Sequence, residues 1–211
     1  MEVCGHFGSS MKRILSLLLL SISINVVHAQ FDENHAIYST GEFNVGNYIG
    51  LDLNLNYVFK EKYSVKMGYS ANIRKTKSQP DDYSTGLSGL ALLGLIDPYD
   101  FLENYQIGVG KVYNLNQNGT IRLNATVGLG YTIVTEPANW KKLDSGFENE
   151  NYSWNYRERN TISLILNPKI EFPFTRVYGI TISPMIQINK HTTYVGIGVG
   201  KMIGLLRGRL D

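Results

Sequence analysis

Few residues in this chain have the types and spacing that covalent chemistry needs. Beyond the first thirty residues only two histidines remain, His35 and His191. A hydroxyl nucleophile needs a base within hydrogen-bond reach and an acid behind it. His191 has Ser183 and Thr192 close in sequence. An esterase or deacylase is therefore one function the residues leave open. Asp81, Asp82, Asp97, Asp100 and Glu103 offer the oxygen ligands calcium takes. Scattered loop carboxylates usually just face solvent, so no metal is expected. There is no HExxH, CxxC, phosphate-binding loop or dinucleotide fingerprint. Gly196, Gly198 and Gly200 alternate with Val195, Ile197 and Val199, a strand pattern rather than a phosphate cradle. The sole cysteine, Cys4, lies ahead of an export signal. The expectation is no enzyme, no cofactor and no disulfide.

Two other sets of side chains stand out. Asp52, Lys66, Arg122, Lys169 and Glu171 fall on the polar side of alternating segments, as candidates for an internal network of paired charges. Trp140, Tyr152, Trp154 and Tyr156 cluster in a charged, amide-rich stretch over 136–158. They are candidates for an external surface that touches a protein, a glycan or lipopolysaccharide, although aromatics also gather at membrane interfaces for position alone.

The elements that carry these residues are strands. Leu51, Leu53, Leu55, Tyr57 and Phe59 alternate with Asp52, Asn54, Asn56 and Val58. Ile121, Leu123, Ala125, Val127, Leu129, Tyr131 and Ile133 alternate with Arg122, Asn124, Thr126, Gly128, Gly130 and Thr132. A period of two puts successive side chains on opposite faces. Seven segments read this way: 48–59, 62–73, 103–114, 120–134, 160–172, 176–188 and 192–203. Their polar faces are too wet for a dry soluble core, and their lengths suit strands that cross a bilayer at a tilt.

A sheet in hydrocarbon must close, because an open edge leaves backbone groups unpaired. Bacterial barrels of one chain have even strand numbers, with short turns at one end and longer loops at the other. Short turns near Lys60, Asn116 and Pro173 alternate with long connections over 74–102 and 135–158. That alternation calls for an eighth strand at about 33–44. The rival location, Leu87–Ile96, breaks the alternation of ends. The expected fold is all-β: an eight-stranded antiparallel up-and-down transmembrane β-barrel with two long external loops. A ring of eight is filled by its own side chains or holds one small ligand, so no wide pore is expected.

The N-terminus supports export. Lys12 and Arg13 precede the apolar run Ile14–Ile24, and Val27-His28-Ala29 ends in a small residue before Gln30. Residues 11–29 read as a cleaved signal peptide, residues 1–10 as an over-extended start, and residues 30–211 as the barrel domain. The chain has 211 residues, 14 tyrosines, 18% charged residues and a formal net charge of +2, which suits one domain with aromatic rims and gives no basic excess for nucleic acid.

The His28-Ala29-Gln30 junction, the alternating strands 120–134 and 176–188 and the tyrosine-rich strand ends together resemble small bacterial outer-membrane barrels of the OmpA/OmpX-like kind. The Ala-Gln junction resembles signals of Bacteroidetes. The chain departs from the common pattern in that Leu205–Asp211 does not close on an aromatic. The resemblance covers most of 31–211 and implies a porin-like wall in the outer membrane, a monomer, and contact with outer-membrane lipid and lipopolysaccharide. Its members serve adhesion, membrane stability and lipid remodelling, and a shared fold does not choose among them. A structural, adhesion or surface-interaction role leads. A soluble periplasmic barrel that binds a small apolar ligand and an outer-membrane lipid A or phospholipid hydrolase are the alternatives.

Overall fold

The computed structural model describes residues 35–86, 97–143 and 150–206. They form eight strands: β1 His35–Gly46, β2 Ile49–Phe59, β3 Tyr63–Lys75, β4 Tyr99–Asn114, β5 Arg122–Lys142, β6 Tyr152–Pro173, β7 Tyr178–Ile188 and β8 Thr193–Leu205. Each pairs antiparallel with its neighbours in sequence, and β1 pairs with β8 to close the barrel. The additional strand belongs to the N-terminal segment, observed as β1. The rival location at 87–96 lies outside the described residues.

The alternation follows from two different surroundings. Outward residues such as Leu51, Leu53, Ile107, Val109, Leu129 and Val199 stay exposed, and Ile162 keeps 70% of its surface. Inward residues are small or polar, with Asn54, Asn56, Ser70, Asn104, Thr132 and Thr181 buried. A soluble barrel that binds an apolar ligand needs the reverse arrangement.

The lumen is layered along its axis. Ala36, Tyr38, Val58, Val112, Met202 and Leu206 form one apolar cluster at the end that holds both described termini. Tyr48, Leu102, Val134, Ile165, Met185 and Tyr194 form a second toward the opposite mouth. Polar side chains fill the space between. Where backbones crowd, glycine is required: a Cβ on Gly200 would collide with the Gly41 carbonyl and sit 2.7 Å from the Glu42 Cα. Pairing of β6 with β7 lapses between Leu166 opposite Ile186 and Ile170 opposite Ile182, a stretch that holds Pro168 and Pro184. Proline cannot donate to the ladder. Asn167 compensates by donating from Nδ2 to the Pro184 carbonyl at 2.9 Å.

Two expected boundaries change. The stretch 136–158 is largely not a loop: β5 runs on to Lys142 and β6 begins at Tyr152, with pairs from Glu136 opposite Arg157 to Lys142 opposite Tyr152. Both faces of this hairpin lie largely in the open, so Glu136–Lys142 carries no apolar alternation, and on the β6 side the alternating residues are the aromatics Tyr152, Trp154 and Tyr156. The insertion expected over 74–102 is shorter for the same reason. Lys75 pairs with Tyr99 and Arg74 with Asp100, so the connection spans 76–98.

Candidate functional site

The five lumen candidates are all buried on strands β2, β3, β5 and β6. They form two groups. Toward the end that holds the described termini, Glu171 on β6 accepts from Arg122 Nε at 2.7 Å, from the Tyr38 hydroxyl at 2.5 Å and from Asn124 Nδ2 at 3.2 Å. Arg122 also donates to the Leu206 carbonyl at 2.7 Å, which ties the chain's last described residue to the wall. In the second group Lys169 pairs with Glu42 at 2.5 Å and donates to Thr40 Oγ1 at 3.2 Å. Lys66 donates to Asn167 Oδ1 at 2.9 Å, and Asp52 accepts from Gln106 Nε2 at 2.8 Å. Lys66 and Asp52 thus bond to amides rather than to each other.

Glu42 is the residue that sequence reading missed. It lies in the weak first strand, just past the small or polar outward residues Ser39 and Gly41, where alternation is faint. With it the middle of the lumen holds three buried carboxylates (Glu42, Asp52, Glu171) against three buried cations (Lys66, Arg122, Lys169), with Asp100 buried separately at the mouth. A buried charge is tolerable only when paired and hydrogen-bonded; Lys169 with Glu42 and Arg122 with Glu171 meet that need directly, while Asp52 and Lys66 are held by amide hydrogen bonds within the same balanced set. The network fills the interior rather than lining a channel.

The mouth is built differently. Arg74 bonds Asp100 at 2.8 Å, lies 3.9 Å from Glu136 and stacks its guanidinium 4.3 Å from the Tyr48 ring. Arg159 pairs with Glu136. Two clefts flank Arg74, of about 450 and 580 Å³, and Lys77 lines both. Arg157 borders one and Lys190 the other, so five cations face two carboxylates there. A larger concavity of about 1150 Å³ lies on the outer wall across Leu53, Met67, Tyr69, Tyr105 and Tyr131, away from these polar groups.

Three of the four external aromatics come together. Asn139 takes a left-handed φ of 59° where the register shifts between Ala138 and Lys141. Beyond that bulge Trp140 meets Trp154 at 5.3 Å and Tyr152 at 6.2 Å. Tyr83, from the β3–β4 connection, joins all three rings. Tyr156 does not belong to the group and packs on Phe101 at 5.9 Å. Tyr83 had no sequence signal, because it sits alone in a polar loop.

A polar clamp holds that loop on the hairpin. Asp82 accepts from Lys142 at 2.6 Å and from the Tyr152 hydroxyl at 2.6 Å. Asn151 donates to the Asp82 carbonyl at 2.7 Å, and Tyr83 donates to Glu150 at 2.5 Å. The hydrogen bond from Lys142 holds the Asp82 carboxyl below its usual range, and the same bond raises Lys142. Tyr152 is raised by its bond to Asp82, and Tyr83 by burial and then by Glu150.

The catalytic and calcium alternatives find no assembled site. Ser183 accepts from Asn167 at 2.9 Å and Thr192 bonds the Tyr48 hydroxyl at 3.2 Å. Among the described residues no hydrogen bond joins either hydroxyl to the His191 ring. Asp82, Asp100 and Glu103 are engaged by Lys142, Arg74 and Tyr69 respectively. No three His, Cys, Asp or Glu side chains converge among the described residues.

No family model matches this chain, and no curated protein matches it by sequence. Solved structures do. The attachment invasion locus protein Ail of Yersinia pestis aligns over 82% of this chain and 99% of its own, at 14% identity and a TM-score of 0.50. Ail in complex with the heparin analogue sucrose octasulfate aligns over the same shares at 14% identity and 0.48. Neisserial surface protein A aligns over 80% of this chain and 94% of its own, at 9% identity and 0.44. At this identity the likeness to Ail is one of fold: an eight-stranded antiparallel barrel resembling small bacterial outer-membrane proteins.

Proposed function

We propose that the chain is an outer-membrane barrel that closes its own lumen and presents a rigid external hairpin for adhesion or surface contact. The observation that carries this is the exposed apolar wall. Phe43, Leu53, Met67, Ile107, Leu129, Ile162, Ile188 and Val199 are each about half exposed or more, one on each of the eight strands around the ring. Soluble monomers rarely expose a continuous apolar patch beyond a few hundred Å². Lipid removes that cost, and the closed sheet leaves no edge within it. The termini then lie on the periplasmic side and the long connections outside.

The external part suits an anionic, sugar-bearing partner such as lipopolysaccharide or an extracellular glycan. Arg74, Lys77, Arg157, Arg159 and Lys190 give the mouth a positive excess over Asp100 and Glu136. The Trp140, Trp154, Tyr152 and Tyr83 rings offer stacking surface beside it. Tyr152–Ser163 of β6 pairs with β5 on one side only, since β7 begins its pairing at Ile188 opposite Leu164. β5 likewise has no β4 partner beyond Thr135, so the hairpin projects past the barrel with both strand edges unmatched. Residues 11–29 are read with this as the export signal of a mature chain starting at Gln30, of the Bacteroidetes type.

Membrane fractionation tests the reading. The full chain is expected in the outer-membrane fraction, migrating faster on gels before heating than after, with Gln30 at its mature N-terminus. Recovery in the soluble periplasm, with no shift on heating in detergent, overturns it.

A further inference from the structure

The end opposite the mouth carries a second cationic feature, unlike the first in construction. On the outer wall, Phe59 of β2 lies opposite Tyr63 of β3, and Tyr63 opposite Lys111 of β4. Lys60 Nζ stands 5.2 Å from the Phe59 ring, Lys62 Nζ 5.7 Å from Tyr63 and Lys111 Nζ 4.8 Å from Tyr113. All three rings are exposed. Cation–π contact of this kind holds an ammonium beside an apolar face, here where the apolar wall ends. Among the described residues none of the three lysines forms an ion pair with a carboxylate.

The turn itself gives an independent sign. Lys60 and Glu61 both take φ of 52°, and Lys62 N–H bonds the Phe59 carbonyl at 3.1 Å. A tight hairpin with two left-handed residues strongly favours Asn-Gly. Lys-Glu pays strain there that Asn-Gly avoids, and in return sets a cation at the rim.

We propose that Lys60, Lys62 and Lys111 form a docking site for an anionic phospholipid of the leaflet at this end, with the ammoniums on its phosphates and the rings along its glycerol and upper acyl chains. A zwitterionic lipid brings its own ammonium to the same place and gains less. The proposal rests on the reading that the outer wall faces lipid. A lysine near an anionic surface contributes roughly fivefold to binding, and the three together, less the exposed Glu61 between two of them, give a preference of about twenty-five-fold at low salt.

The test uses the full-length barrel in nanodiscs of phosphatidylcholine with a minority of cardiolipin, then native mass spectrometry of the lipids it keeps. The wild type is expected to retain cardiolipin in preference to phosphatidylcholine. Lys60→Gln/Lys62→Gln/Lys111→Gln should lose that preference, while the corresponding triple arginine variant and Lys190→Gln at the mouth should keep it. Added salt should weaken retention by the wild type, a reading that needs no variant to fold. A barrel that inserts yet shows no cardiolipin preference, or one whose preference survives the glutamine triple or falls equally with Lys190→Gln, overturns the docking site alone. A wild-type barrel that fails to insert overturns the lipid-facing wall as well.

Discussion

Glu171→Gln removes one charge from the lumen while keeping its volume. Glu171 is fully buried and accepts from Tyr38, Arg122 and Asn124 at 2.5, 2.7 and 3.2 Å. The amide can still accept from Tyr38 and Asn124, but Arg122 loses its counter-charge. Breaking a buried pair costs about 3–5 kcal/mol. Arg122 keeps its bond to the Leu206 carbonyl at 2.7 Å, which puts the expected loss near the lower end, about 3 kcal/mol. Arg122→Met strands Glu171 with its two neutral donors and should cost about as much. The double variant strands no charge. It leaves chiefly the Leu206 carbonyl without a donor, about 2 kcal/mol, so the two sites should couple by about 4 kcal/mol. Urea titration of the barrel in lipid vesicles measures this through two readouts. The chain's two tryptophans, Trp140 and Trp154, both sit on the external hairpin, so their fluorescence follows that hairpin. Heat-dependent gel migration follows barrel closure. Losses that add within about 0.5 kcal/mol would refute the claim that the pair works as one buried unit.

Gly200→Ala should destabilise the barrel by about 1–3 kcal/mol in the same titration, because its Cβ meets the backbone of Gly41 rather than a side chain that can swing away. The clamp of the β3–β4 connection should hold over a wide pH range. Asp82 is lowered, so its contribution is present above the ordinary carboxylate range and lost as pH falls through the lowered value. Lys142 and Tyr152 are raised, so theirs is present below their ordinary ranges and lost as pH rises through the raised values. Tryptophan fluorescence should change at both limits, and Asp82→Asn should abolish the acid change; an unaltered acid change would count against the clamp. Liposomes holding the purified barrel should not swell in isosmotic solutions of small sugars, since two apolar clusters and a balanced charge network fill the lumen. Swelling above that of empty liposomes would contradict a closed interior.

Legibility in this chain tracks the contrast between the two sides of a strand. Where lipid lies outside and polar contents inside, as along Leu51–Phe59 or Ile121–Ile133, alternation is complete and the strands read directly from sequence. β1 reads poorly because Ser39 and Gly41 stand on its outer face beside Thr40 and Glu42 on its inner one, so both sides look polar. That faintness hid Glu42 and with it the partner of Lys169. Past the barrel wall both faces are open, and Glu136–Lys142 gives no alternation although the ladder continues, while Tyr152, Trp154 and Tyr156 alternate with Ser153, Asn155 and Arg157, a period-two signal in which the repeated residues are aromatic. The external aromatics were visible as composition, but their grouping was not. The bulge at Asn139 sets Trp140 against Trp154, while Tyr156, two residues from Trp154, turns instead to Phe101. Tyr83 is held in the group by the clamp of Asp82, Asn151 and Glu150 across the connection. Solvent contrast writes the wall into the sequence. The grouping of the external aromatics is set by a bulge and a loop clamp, which local pattern does not record.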